Sequence, residues 1–122
     1  RSKRNMGYYT IRRSWLMAQT VVKTGATAIS GNTLVYSSAT AAIYGALIDL
    51  TPMAADTVLN IKVANCTIVA SGLKVVTQDN FSGVQTDPMF MIPAQHSNKG
   101  FSITIVKSSG TTPTVPFEIT TF

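Results

Sequence analysis

Cysteine, histidine and charge are what this 122-residue chain has least of. A single cysteine, Cys66, excludes an intrachain disulfide, and no Cys/His set has zinc spacing. It lies in an apolar stretch between Val63 and Ile68 and reads as a small buried hydrophobe. A single histidine, His96, leaves any Cys–His nucleophile pair to chance proximity. Its setting, Pro93-Ala94-Gln95-His96-Ser97-Asn98, reads as a polar loop. The acids Asp49, Asp56, Asp79, Asp87 and Glu118 are scattered, which excludes calcium-loop spacing and gives no paired carboxylates for acid-base work. Asp49 and Asp56 flank a turn and suit Asx-type capping better. No apolar run reaches the roughly 18 residues of a membrane-spanning helix, and no signal-peptide pattern is visible. Helical periodicity is nearly missing too. The Ala-rich segment 38–46 is interrupted by Gly45 and β-branched residues, so no phosphate-binding loop has a helix to precede. The expectation is a protein that is not an enzyme and uses no cofactor, metal or small-molecule substrate.

Hydrophobic residues make up 45% of the chain, an ordinary globular share, while charged residues reach only 12%, about half the usual fraction. A chain of this length forms one domain and can bury a core without a metal or disulfide. Its net charge of +5 is unevenly placed. Arg1, Lys3, Arg4, Arg12, Arg13 and Lys23 fall within the first 23 residues with no acid among them. The remainder holds Lys62, Lys74, Lys99 and Lys107 against the five acids, four positive minus five negative, or −1. The chain therefore divides into a basic extended N-terminal arm, residues 1–23, and a nearly neutral body, residues 24–122. Arg1, Lys3, Arg4, Arg12 and Arg13 suit contact with nucleic-acid phosphates or an acidic protein surface. Tyr8, Tyr9 and Trp15 interleave with Arg12 and Arg13, a set that can stack on bases or anchor an extended arm on a neighbouring subunit. A solvated tail is the bland alternative.

Short apolar runs and period-two alternation dominate the body. Candidate strands are 8–16 in the arm, then 33–37, 43–50, 57–64, 67–70, 73–77, 89–92, 101–107 and 115–122. Leu59, Ile61 and Val63 alternate against Val58, Asn60, Lys62 and Ala64, and Phe101, Ile103 and Ile105 against Ser102, Thr104 and Val106. The mostly apolar run 43–50 suits a central strand, and 89–92, between Pro88 and Pro93, an edge. Residues 78–88 form the longest irregular stretch. This pattern predicts an all-β, single-domain β-sandwich of about eight strands, jelly-roll-like in preference to immunoglobulin-like, preceded by the arm. The sequons Asn65-Cys66-Thr67 and Asn80-Phe81-Ser82 are the chance matches expected of a Ser/Thr-rich chain.

One resemblance covers about two thirds of the chain. It begins at Ile48-Asp49-Leu50-Thr51 and runs through Met53-Ala54-Ala55-Asp56-Thr57 into the strand of Leu59, Ile61 and Val63. It continues with Phe81-Ser82-Gly83-Val84-Gln85, Ile92-Pro93-Ala94 and Ile103-Thr104-Ile105. It ends with Lys107-Ser108-Ser109-Gly110-Thr111 and Val115-Pro116-Phe117-Glu118-Ile119. In these stretches the chain resembles a family of small all-β structural proteins of phages and viruses. It departs from that pattern at Ala55, where glycine is usual, and at Phe117, where tryptophan is frequent. The resemblance implies a sandwich subunit in a virion and no catalytic residues.

The resulting expectation is a capsid decoration, turret or minor coat subunit. It assembles through sandwich contacts and through Tyr8, Tyr9, Arg12, Arg13 and Trp15. Its partners are copies of itself and a major capsid protein, with nucleic acid reachable through the arm and no membrane. Two alternatives stay open: a main coat protein whose basic arm meets the genome, and an extracellular filament subunit joined by strand donation. A carbohydrate-binding sandwich ranks last, because the one tryptophan lies in the arm rather than on the body.

Overall fold

In the computed structural model, residues 19–122 are described. The arm residues singled out above, Arg1, Lys3, Arg4, Tyr8, Tyr9, Arg12, Arg13 and Trp15, and the candidate strand 8–16 lie outside them. Eight strands follow in order: β1 (Thr20–Ala28), β2 (Asn32–Ser38), β3 (Ala42–Asp49), β4 (Val58–Asn65), β5 (Lys74–Ser82), β6 (Met89–Ser97), β7 (Phe101–Ser109) and β8 (Thr114–Thr121). They form two four-stranded antiparallel sheets, β1-β8-β3-β6 and β2-β7-β4-β5. First strand pairs with last, second with seventh, third with sixth and fourth with fifth. That nesting is a long hairpin rolled up on itself. The β3·β8 and β4·β7 ladders then complete each sheet. The fold is an eight-stranded jelly roll.

The core follows from side-chain alternation. Leu59, Ile61 and Val63 of β4 and Phe101, Ile103 and Ile105 of β7 are fully buried on one sheet. Opposite them lie Tyr44, Ala46 and Ile48 of β3 and Val115, Phe117 and Ile119 of β8. Tyr44 and Phe101 stack across the sandwich with ring centroids 4.7 Å apart and planes 3° from parallel. The Tyr44 hydroxyl donates to the Thr40 carbonyl, so the ring is buried without an orphaned polar atom. Along the β5/β6 side, Phe81 meets Phe90 edge-to-face at 5.1 Å. Cys66 is fully buried, as its apolar setting suggests.

Several strand assignments need correction. β1 is absent from the sequence reading, which placed residues 20–23 in the arm; the strand starts at Thr20 and pairs with β8 along its length. None of its side chains is fully buried, so its sequence carries no core alternation. Residues 67–70 are not a strand. They lead into a single 3-10 turn, Val69–Ser71, because the connection from β4 to its hairpin partner β5 passes no third strand with which to pair. β5 runs on to Ser82, which shortens the irregular stretch 78–88. Its polar Gln78, Asp79 and Asn80 pair with Lys62, Ile61 and Asn60 on an exposed edge, where burial does not demand hydrophobes. β6 is an edge strand as expected but continues past Pro93 to Ser97. An edge tolerates the missing donor, and the ladder shifts register there, between Tyr44 and Ala46. His96 therefore stands on a strand opposite Ile43, not in a loop.

Turn glycines fix two strand ends. Gly110 has φ +89°, and a Cβ there would run into the Asp56 carbonyl. Gly100, at φ +92°, is packed against the Ser38 carbonyl, where a Cβ would also clash. We expect Gly110→Ala to destabilise the fold by roughly 2–4 kcal/mol, combining left-handed backbone strain with the steric clash. Ile61→Ala should cost about 2–5 kcal/mol as a core cavity. Chemical denaturation measures both, and a Gly110→Ala loss under about 0.5 kcal/mol would contradict the packing described.

Candidate assembly surfaces

The described residues bring together little that could do covalent chemistry. No group of three or more His, Cys, Asp or Glu side chains among them could hold a metal. Cys66 is enclosed, its N–H donating to Ser97 Oγ at 3.2 Å. Asn65, the first residue of one sequon, is 2% exposed and is held by Gln95 Oε1 and the His96 carbonyl, so it is closed to glycan attachment in the folded chain.

The two capping aspartates behave differently. Asp49 Oδ1 accepts the Thr51 N–H at 2.9 Å and the Thr51 hydroxyl at 2.6 Å, a local Asx turn as its position suggests. Asp56 instead reaches 55 residues along the chain. Its two carboxylate oxygens accept the N–H and the hydroxyl of Thr111, each at 3.2 Å, and tie the β3–β4 loop to the β7–β8 loop. Buried Thr57 adds to the tie by donating its hydroxyl to the Thr111 carbonyl at 2.9 Å. Both aspartates are held below the ordinary carboxylate range, Asp49 first by the Thr51 hydroxyl and Asp56 first by the Thr111 N–H.

Apolar side chains stand out on two surfaces. On the outer face of the β1-β8-β3-β6 sheet, Leu47 of β3 faces Met91 of β6, Met89 faces Asp49, Ile43 faces His96, and Phe122 lies over Gly45. Met91 is 67% exposed. Hollows of about 160 Å³ and 220 Å³ flank Leu47, one floored by Met91, Pro93 and Phe122, the other by Met89, Pro116 and Glu118. The second surface lies at one end of the sandwich, where the β2–β3, β4–β5 and β6–β7 connections meet. Ile68, Val69 and Leu73 are exposed there. An open groove of about 370 Å³ is lined by Ser37, Ser38, Val69, Leu73 and Lys99. Sequence reasoning missed both. Unalternated apolar character in 43–50 was a signal for the first, since a run apolar on both parities leaves one set facing outward. Residues 67–70 read as strand in the sequence, which conceals the second.

Comparison with known proteins finds no matching family model and no matching curated protein. Among solved structures the chain is similar to the crystal structure of PirA, at 13% identity and a TM-score of 0.48, over 85% of this chain and 92% of that one.

The depressed aspartates set an acid limit. A carboxylate held below its unfolded value stabilises the fold above that value and loses the contribution as pH falls through the folded one. Melting temperature should hold from neutral pH to about 5 and fall below about 4. Asp56→Ala should lower it at neutral pH and flatten the acid-side fall. An unchanged acid-side slope in thermal melts of that variant would remove Asp56 from this account.

Proposed function

We propose that this chain is a virion structural subunit, a decoration, turret or minor coat protein of a phage or virus, acting by assembly rather than catalysis. The observation that carries this reading is the surface of the body. More large hydrophobic side chains are exposed on it than there are charged side chains of either sign in the described residues. Isolated exposed hydrophobes are ordinary on a monomer, but patches grouped on one sheet face and one sandwich end are typical of surfaces covered by neighbours. A jelly roll suits this role, because its two sheets hold the core and leave outer faces and end loops free for contact. The resemblance to phage and virus structural proteins points the same way. The partners are then copies of this chain and a major capsid protein, and the location is the virion.

A second reading, a main coat protein with a genome-contacting arm, is favoured by one feature. The basic residues 1–13 precede Thr20, the end of β1 that lies at the same end of the sandwich as the exposed Lys99 loop.

Antiserum against the chain, followed by immunogold labelling, should decorate particles released by the cells that make it; label confined to the soluble fraction would reject the virion assignment. Light scattering should give the full chain a mass above the protomer and a chain lacking residues 1–18 a smaller one. Binding to a single-stranded DNA oligonucleotide that weakens steeply with salt would favour the coat reading over decoration.

A further inference from the structure

The topology sorts charge along the strand axis. At one end, the β3–β4 and β5–β6 connections carry Asp56 and Asp87, both exposed, and Asp49 closes β3 beside them. Lys107 is the basic residue at that end, its ammonium donating to the Gly110 carbonyl at 2.7 Å. At the opposite end, exposed Lys74 opens β5 and exposed Lys99 lies on the β6–β7 connection, with no acid on the β4–β5 or β6–β7 connection. Each end also presents hydrophobes. The acidic end offers Val84, 70% exposed, and Met89; the basic end offers Ile68, Val69 and Leu73, two of which line its groove. The ends are thus opposite in charge, alike in being apolar, and different in shape, with an open groove of about 370 Å³ at the basic one.

We infer that two copies of this chain bind end to end, the acidic β3–β4/β5–β6 end of one seated on the basic β4–β5/β6–β7 end of the next. This inference rests on the assembling-subunit reading and adds the contact through which assembly proceeds. Asp87 lies opposite Lys74 and Lys99, and Val84 enters the groove between Val69 and Leu73. Because the two surfaces differ, the contact is heterologous. It leaves a free end of each kind and continues into a ring or a filament rather than stopping at a dimer. Charge matching sets the register and orientation, while the apolar contact excludes water around it.

Charge reversal of the full chain tests this. Lys74→Glu/Lys99→Glu replaces two basic side chains of the basic end by acidic ones, and Asp87→Lys adds a basic residue to the acidic end. All three side chains are exposed, so melting temperatures should match the parent and report intact folds. In light scattering the parent should grow in mass with concentration at low salt and shrink toward the protomer as salt shortens the screening length to about 3–8 Å. Each variant alone should remain at protomer mass, and an equal mixture of the two should exceed it, since the unaltered acidic end of the first variant then meets the unaltered basic end of the second. Variants that associate as the parent does would overturn the end-to-end contact and leave the subunit reading standing. A mixture that stays at protomer mass would overturn the proposed pairing. A parent that is a protomer at every concentration would overturn both the contact and self-assembly.

Discussion

The interlock of side chains between the two sheets governs this molecule. Leu59, Ile61 and Val63 with Phe101, Ile103 and Ile105 form one wall, and Tyr44, Ala46 and Ile48 with Val115, Phe117 and Ile119 form the other. Burial of these side chains is the main favourable term in folding. It also fixes register, since slipping any of these strands by one residue would turn its buried set outward. With register fixed, the β8–β3 ladder places Leu47 and Glu118 directly opposite each other.

The same interlock is lopsided. The β5/β6 side is closed by Phe81 against Phe90, and the two strands at the other side, β1 and β2, supply little to the core: of their side chains only Val35 is buried. β1 is held mainly by its ladder with β8 and by Thr24 donating to the Phe117 carbonyl. Lys23 and the register shift between Val21 and Lys23 blunt this edge. The outer sheet face and the basic end, by contrast, both carry exposed apolar side chains.

Much of the fold was legible. The strands β2, β3, β4, β7 and β8 have a buried parity or an apolar run, and a period of two identifies them without any knowledge of their partners. Asp49 capping Thr51 is equally local. What escaped was what depends on a neighbour. β1 has no buried parity because none of its side chains reaches the core. The polar half of β5 is a strand only because β4 is beside it, and β6 passes through Pro93 because its outer side needs no donor. Asp56 looked like Asp49 in sequence, yet its partner is Thr111, brought close by the roll of the hairpin.

By itself, then, the sequence determined an all-β body poor in charge, its core faces, its turns and the gathering of basic residues before Thr20, because each of these is written in neighbouring residues. Only the tertiary structure decided the jelly-roll order, the outer-face patch around Leu47 and Met91, and the separation of Asp56 and Asp87 from Lys74 and Lys99. Those features depend on which strands lie side by side and on which end each connection falls. Antiparallel pairing sends alternate loops to opposite ends, so residues far apart in the chain are gathered by sign only once the hairpin has rolled up.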